Sequence, residues 1–517
     1  MEKYLFETLV FSSVLLVLYS LLKVVYNIWW RPLYLEKLLR DQGIRGTSYK
    51  LLSGDMGEIR RSILEARSKP MSLNHHIAPR VFPFFHDMMQ KYGRVCMIWI
   101  GTKPRVIIGD PELLRLILAD KNNDFVKPPI LNPLAGFLHV GVASLEGDQW
   151  AKRRRQITHA FHLDKLKGMV PSFSISCSNL IDRWRSLTGD GGSCEVDVAS
   201  ELQNFTGDAI ARTAFGSNYE EGKKIFELQK EQAALVREAY YGIYIPGFRF
   251  VPTKKNRRRY KLDSEVTTIL QDMIYRRKQD LSQNKESVGP NDLLGLLLHS
   301  KEQYSENYLT TEEVIDECKL FYFAGQETTA NLLTWTMIIL SMHPNWQERA
   351  REEVLRICGK KSPDFESINR FKIVPMIFNE VLRLYPPLSN LYRYSERTTN
   401  IRGMSIPKGV ETLLLMLYLH HDPKYWGDDV EEFNPNRFLE GVAKLSKEND
   451  QIAFYPFGWG PRICLGQNFA MIEAKIGLAM ILQHFWFELS SSYTHAPCTV
   501  ITLKPQYGAP LILHPLL

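Results

Sequence analysis

Ten residues near the end of the chain, Phe457-Gly458-Trp459-Gly460-Pro461-Arg462-Ile463-Cys464-Leu465-Gly466, set narrow terms for everything before them. A lone cysteine stands behind a glycine-rich turn and an arginine, and an amphipathic run begins straight after it at Gln467. Gly458, Gly460 and Gly466 let the backbone approach something flat and take turn conformations that other residues resist. The spacing places Cys464 at the N-terminal end of a helix, where unpaired amides and the helix dipole favour a thiolate over a thiol. Arg462 supplies a charge for an anionic group on the same ligand. A planar, anionic, metal-bearing ligand held by one thiolate is a haem. A buried cysteine in a glycine-rich turn is the alternative for a lone Cys-x-Gly, but it asks for none of the other residues in the pattern.

The pattern Phe-x-x-Gly-x-Arg-x-Cys-x-Gly is matched in full and resembles the ligand loop of the cytochrome P-450 haem-thiolate monooxygenases. The resemblance implies haem b (iron protoporphyrin IX), with Cys464 as the axial thiolate and metal ligand and with Phe457, Gly460 and Arg462 among the cofactor-binding residues. It also implies a mainly α fold with small β-sheets, preceded by one N-terminal transmembrane helix.

The chain has 517 residues, 45% of them hydrophobic, enough for a sizeable buried core. Length alone would suggest three or more domains at ~150 residues each. No Gly/Ser-rich or Pro-rich linker and no fixed-period repeat follows residue 50, so one large catalytic domain is expected over residues 46–517. The formal charge of +7 is too mild to argue for nucleic acid. The excess is clustered at 152–155, 254–259 and 276–278; solvated helix faces account for most of it, and a basic surface also attracts anionic lipid or an acidic electron donor. The seven cysteines are odd in number and form no Cys-x-x-Cys pair, which argues against a disulfide framework and for a reducing compartment.

Residues 8–30 are almost wholly apolar, with Lys23 the one charge, and are long enough to span a bilayer. Trp29 and Trp30 stand where an interfacial aromatic belt would, and Arg31, Lys37 and Arg40 follow. The positive-inside rule then puts the remainder in the cytosol. The run is long for a cleaved signal peptide and lacks a small-residue cleavage site. The expected division is an anchor over 1–30, a linker over 31–45 and the catalytic domain after it. Family members often carry a proline-rich hinge in the linker; this chain has only Pro32 there.

The stretch 94–108 reads as two strands around a turn, followed by a helix capped by Asp110 with Pro111 at its first position. Trp150 and Arg154 lie one helical turn apart on one face; the family's matching helix directs such a pair at a haem propionate. Residues 196–280 read as several amphipathic helices, interrupted by an aromatic stretch at 240–248 that suits a channel lid, a membrane-dipping tip or core packing.

A long helix opens with Thr310 or Thr311 as cap and Glu313 as box partner, and Pro344 stops it. Glu327 divides its apolar length, so it is a central core helix and not a second span. In its middle stands Ala324-Gly325-Gln326-Glu327-Thr328-Thr329. Phe321, Ala324, Gly325 and Thr328 share a face, and the small residues at 324 and 325 open a groove against a flat partner. Thr328 can bond back to the carbonyl of Ala324, a pattern that bends helices. The stretch matches the family's Ala/Gly-Gly-x-Asp/Glu-Thr signature, which implies room for dioxygen beside the iron at Ala324, with Thr328 and Glu327 as the catalytic pair.

Further on, Glu380 and Arg383 stand at i, i+3 on a helix ended by Pro386-Pro387. The resemblance implies that Arg437 joins them in a buried network fixing the ligand loop, and that Arg393 binds the second propionate. The closing stretch, 499–513, alternates like a hairpin and turns at Tyr507-Gly508.

Five motifs in family order thus cover most of residues 45–517, and local phrases such as Ala160-Phe161-His162-Leu163-Asp164-Lys165 look most like the plant clan whose members oxidise gibberellins, brassinosteroids, cytokinins, iridoids and triterpenoids. The resemblance implies an endoplasmic reticulum membrane enzyme with a cytosolic catalytic domain. It would insert one oxygen atom from dioxygen into a C–H bond of a lipophilic substrate of terpenoid or isoprenoid-hormone type. Electrons would come from NADPH through a separate NADPH–cytochrome P-450 reductase, since no G-x-G-x-x-G fingerprint in strand context appears. Two other readings keep the haem: an isomerase or dehydratase of hydroperoxides, which has no use for Thr328 and Glu327, and a non-catalytic haem or ligand carrier.

Overall fold

The fold is known from a computed structural model, which describes residues 2–130, 132–138, 140–189, 192–216, 219–241, 247–282, 292–303, 309–442 and 453–516. The chain forms two compact units. One is built from Met1–Ser68, Phe82–Pro128 and Asn390–Leu415, the other from Lys69–Val81, Pro129–Ser389 and Met416–Leu517.

The first unit begins with α1 (Glu2–Val25), which continues through a π-helical turn at Tyr26–Trp30 into a helix over Arg31–Arg40. Phe6, Phe11, Leu16, Tyr19 and Trp30 are all exposed, and none of the apolar window is covered by protein. A helix that is apolar on every side needs either a protein interior or lipid around it. Among the described residues this is the one helix long and apolar enough to cross a membrane. Burial starts towards its end, at Pro32, Leu35 and Leu39. The unit's six-stranded sheet includes the hairpin expected at 94–108: Val95–Ile100 runs antiparallel to Lys103–Ile108, with Val95 opposite Ile108. Asp110 then caps the helix Pro111–Leu118 by accepting from the amides of Glu112 and Leu113.

The second unit is helical around one long element. Its helices include α2 (Gly147–Thr158), α3 (Leu163–Thr188), α4 (Val198–Phe215), α5 (Tyr219–Tyr241), α6 (Lys254–Ser282), α7 (Thr311–Met342), α8 (Ile373–Leu384) and α9 (Gln467–His484). The predicted capping box opens α7: Thr310 Oγ1 accepts from the Glu313 amide at 3.2 Å, and Glu313 returns a carboxylate oxygen to the Thr310 amide at 2.8 Å. His343 caps the other end, and Pro344 starts the next helix. Residues 329–340 of α7 are buried without a break, which makes it a core helix.

The closing stretch departs from expectation. Pro497–Thr499 pairs with Leu503–Pro505 as a short hairpin, but Pro510–Pro515 leaves it for a separate sheet between Phe485–Leu489 and Cys194–Asp197. Asp197 explains the departure, since its carboxylate accepts from the Ala509 amide at 2.7 Å and draws the strand across. Within the aromatic stretch at 240–248, residues 242–246 lie outside the described residues. All seven cysteines are free thiols.

Candidate active site

The ligand loop is closed by its own backbone: the Cys464 amide donates to the Phe457 carbonyl at 2.9 Å. Gly458 and Gly460 hold φ of +74° and +72°, left-handed values that an L side chain adopts only with strain. Gly466 does not share that need. It is the N-cap of α9 at φ −85°, and a Cβ there would make an ordinary contact, 3.9 Å from Phe161 Cε1.

Cys464 is exposed, on a loop that is itself half-exposed between buried residues 453–455 before it and Phe469 after it, so its side chain is accessible. The expectation that the helix end alone favours the thiolate does not hold. The surface of Cys464 is uncovered, but the protein crowded around it keeps bulk water away and pushes the thiol up, and the Gly466 amide and the Arg154 charge, which pull it down, do not overcome that. Desolvation of a thiolate outweighs a few amide dipoles unless a full charge sits against the sulfur, as a coordinated metal cation does.

Trp150 and Arg154 of α2 reach this loop. Arg154 donates to the Ile463 carbonyl at 2.7 Å, next to the cysteine. The Arg462 guanidinium lies 4.3 Å from the Trp150 ring centroid, a cation–π distance. Arg462 also donates to the Leu145 carbonyl at 3.0 Å and forms a close ion pair with Glu146. A single accessible sulfur beside two arginines and a tryptophan is a donor set that fits an anionic metallo-macrocycle.

The middle of α7 is open in the same way. Residues 323–328 are half-exposed between buried stretches on either side, an interruption that a core helix does not need for packing. Phe161 packs between α7, two residues before this window, and α9, just after the cysteine loop: its ring stacks on Phe321 at 5.5 Å and meets Phe469 edge-on at 6.2 Å. Thr328 Oγ1 donates to the Ala324 carbonyl at 2.7 Å, as its spacing predicts. Gly325 is a correction. Its missing side chain faces α4, where a Cβ would lie 2.8 Å from Ile210 Cγ1, so this glycine seats one helix on another. Gln326 seals the contact, donating to the Gln203 carbonyl at 3.0 Å while its own carbonyl accepts from Thr206 at 3.0 Å.

These contacts carry a prediction. Gly325→Ala gains up to ~1 kcal/mol of helix propensity but forces Ile210 aside at a cost of about 1–3 kcal/mol, so the variant should be less stable. Adding Ile210→Ala should give a double variant about 1 kcal/mol or more stabler than the two single changes sum to, measured by urea unfolding. Simple additivity would show that the contact is not strained by the added methyl.

Glu327 is held by residues that sequence reasoning did not find. Oε1 accepts from Thr502 Oγ1 at 2.9 Å and lies 3.4 Å from Lys504 Nζ, and Oε2 accepts from Gln203 Nε2 at 3.4 Å. Thr502 in turn accepts from Asn331 Nδ2 at 2.9 Å. Thr502 stands 175 positions from Glu327, and nothing local marks it. On α9, Glu473 is fully buried, and its surroundings hold its carboxyl well above the usual carboxylate range because burial outweighs the neighbouring Thr329 hydroxyl.

The scaffold behind the loop forms a chain of contacts. Glu380 and Arg383 of α8 are both 0% exposed and bind in two-pronged fashion, Nε to Oε2 and Nη2 to Oε1, each at 2.8 Å. Arg437 approaches Glu380 at 3.5 Å and donates to the carbonyls of Trp426 and Asp429. Arg383 Nη1 donates to the His420 carbonyl at 2.9 Å, and His420 Nε2 accepts from the Tyr455 amide, two residues before Phe457. Arg393 belongs to the first unit, buried on the strand Leu391–Ser395 with its Nη1 on the Tyr392 carbonyl at 2.8 Å.

A helical fold with small sheets, a lone accessible cysteine on a glycine loop and an opened core helix beside it define a haem-thiolate protein. The cytochrome P450 family profile matches residues 71–507. "Cytochrome P450 CYP72A616" of Paris polyphylla is 52% identical over 94% of both chains. "7-deoxyloganic acid hydroxylase" of Catharanthus roseus is 44% identical over 98% of both. The retinoic acid-bound cyanobacterial CYP120A1 superposes with a TM-score of 0.72 at 23% identity, covering 84% of this chain and 94% of its own. The chain belongs to the cytochrome P450 family, a family of monooxygenase oxidoreductases whose fold implies haem with a cysteine thiolate ligand.

Proposed function

We propose that this protein is a membrane-anchored monooxygenase of the endoplasmic reticulum, with residues 1–30 as anchor, 31–45 as linker and 46–517 as a cytosolic catalytic domain. It inserts one oxygen atom into a C–H bond of a lipophilic terpenoid or isoprenoid-type hormone, using electrons from NADPH through NADPH–cytochrome P-450 reductase. The single observation that carries the reading is the half-exposed window at 323–328, with Thr328 and Glu327 in it, on a helix that Phe161 ties to α9 behind the Cys464 loop. The acid hydroxylase among the relatives supports a terpenoid-type substrate.

The haem, when bound, supplies dioxygen activation, and a thiolate ligand favours cleavage of the O–O bond. Cys464 would hold it, Arg462, Trp150, Arg154 and Arg393 would pair with its propionates, and Phe457, Gly460 and Ala324 would line it. What remains for the chain is to orient substrate and deliver protons into a dry site. Thr328 Oγ1 stands on the open window, where, with its proton on the Ala324 carbonyl, its lone pairs are left to accept a hydrogen bond. Glu327 takes protons from the side of Lys504 and Thr502 and presents them towards Thr328.

The test uses reductase-containing microsomes. NADPH-dependent turnover of terpenoid acids and alcohols is expected, together with a spin shift on binding the true substrate. Glu327→Gln should lower product formation by about 10²-fold or more, the usual weight of a positioned proton donor, with haem content unchanged. Thr328→Ala should consume NADPH with little product. Turnover of hydroperoxides without NADPH would instead support an isomerase or dehydratase, and tight binding without any turnover a carrier.

A further inference from the structure

The linker at 31–45 is not a free tether. Helix runs from Glu2 to Arg40 with only a π turn at Tyr26–Trp30, and its last part buries Pro32, Leu35 and Leu39. Glu36 accepts from the Tyr49 amide at 3.1 Å and from Arg40 Nε at 2.9 Å, and Gln42 donates to the Ser405 carbonyl at 2.9 Å. Pro32 follows Ile28 at i+4 and has no amide hydrogen, so the helix cannot give the Ile28 carbonyl its usual partner. The donor comes from outside the helix. Tyr49 Oη donates to the Ile28 carbonyl at 2.7 Å and itself accepts from the Leu52 amide at 3.2 Å. A carbonyl at the edge of a bilayer is costly to leave unpaired, and a proline is tolerated in a span where a neighbouring side chain satisfies the group it frees.

Tyr49 is seated on the first unit's sheet, its ring centroid 4.8 Å from that of Trp99. Asp55 pins the far end of the turn to the same residue: its amide donates to the Trp99 carbonyl and its carboxylate accepts from the Trp99 amide, each at 2.8 Å. The two hydrogen bonds of Tyr49 therefore set Leu52 at the level of Ile28, inside the apolar run and beside Trp29 and Trp30. Leu51 and Leu52 are 52% and 57% exposed, next to each other on this turn. Leu52 holds φ of +61°, a left-handed value that a leucine adopts only with strain. A turn facing water would take glycine or asparagine there. Lys50 is paired with Glu58 and Asp55, so what the turn presents is apolar. Leu33 and Tyr34, exposed just beyond the span, add to that surface.

We propose that Tyr49 latches the anchor helix to the body at a fixed angle, and that the latch holds the Leu51–Leu52 turn in the lipid surface as a second apolar contact with the bilayer. The inference rests on the reading of residues 1–30 as an anchor. Lipid is the occupant because a bilayer that surrounds Ile28 already reaches the level of Leu52. Apolar side chains make the contact, so lipid without net charge suffices.

The test uses the full-length holoenzyme in phosphatidylcholine nanodiscs, with a nitrobenzoxadiazole amino acid in place of Leu52 or, separately, of Trp29, and with lipid carrying a nitroxide near its headgroup as quencher. Emission from position 52 should be blue-shifted and quenched about as strongly as emission from position 29. Tyr49→Phe, which keeps the ring against Trp99 and removes the hydroxyl, should lose most of the quenching at 52 and keep that at 29. Quenching at 29 without quenching at 52 overturns the proposal and leaves the anchor intact; quenching at neither position overturns both. Quenching at 52 that Tyr49→Phe leaves unchanged overturns the latch and the proposal with it. The comparison of the two probes in the parent does not depend on how well Tyr49→Phe folds.

Discussion

The Cys464→Ala variant should give no carbon monoxide difference band and no turnover, while its thermal unfolding without cofactor stays close to that of the parent treated alike. The two halves of this result follow from different properties of the same residue. The side chain is exposed, so removing its sulfur leaves no cavity and costs little stability. The loop that presents it does not depend on the sulfur either: it is closed by the Cys464 amide on the Phe457 carbonyl, and Arg154 holds the neighbouring Ile463 carbonyl. Alanine keeps both contacts. What alanine cannot supply is the ligand atom by which the chain would hold the haem iron. Cys464→Ser is the informative companion. Its hydroxyl keeps an oxygen in place, so pigment is retained in part with a shifted absorption spectrum. A Cys464→Ala protein that binds pigment with the parent spectrum would falsify the assignment of the metal ligand and the proton-delivery roles built on it.

The site was legible in the sequence where its chemistry is local. The cysteine loop, the Trp150–Arg154 spacing, the Thr310–Glu313 box and the Glu380–Arg383 pair each lie within one or two turns of backbone, and each forms as the spacing predicts. What escaped was set by distance in the chain. Thr502 and Lys504 reach Glu327 from a hairpin 175 and 177 positions away, and Asp197 draws the last strand into another sheet from 312 positions away. Such pairings leave no periodicity to read, because each partner alone looks like any polar residue on a loop or strand. Gly325 shows a different failure. A small residue in a helix is compatible with a groove for a ligand and with a close neighbouring helix, and only the position of Ile210 separates the two. The thiol of Cys464 shows a third, since a helix end is visible in sequence but the degree of desolvation is not.

Acid should weaken the protein from pH 6.5 downwards, before most carboxylates titrate, because histidines are buried uncharged in the second unit. His75 and His420 are held down to about 3, and His495 to about 4, against an ordinary 6.5. Burial is the main cause in each, and for His75 the neighbours add to it. His343 sits 3.3 Å away, nitrogen to nitrogen, and is itself lowered by burial, while His495, His421 and Arg383 contribute further positive charge. The groups that bond to the cluster are neutral: Tyr385 Oη meets His75 at 3.0 Å and His495 at 3.4 Å, and Tyr493 Oη meets His495 at 2.8 Å. Among the described residues, the carboxylate at the edge of the cluster is Glu431, 2.8 Å from His421 and shared with His76 at 2.9 Å. The folded-state values lie below the unfolded ones, so the stability these groups protect is complete above the unfolded value and is lost as pH falls towards the folded one. At pH 5 the unfolded chain binds about one proton more per histidine, worth about 2 kcal/mol each. Glu473 acts in the opposite sense, because its raised carboxyl keeps a proton in the folded state that the unfolded chain holds less tightly. At pH 5 the three histidines together therefore cost about 6 kcal/mol, a large part of the ~5–15 kcal/mol that holds a typical protein folded, and Glu473 offsets part of it. The comparison that isolates the effect is the His75→Gln/His495→Gln double variant, since Glu473 and His420 cancel between it and the parent. Urea unfolding of both at pH 7.5 and pH 5 should show the parent losing about 4 kcal/mol more than the variant. Parallel losses in the two proteins would mean that these histidines are already charged, or already solvated, in the folded chain.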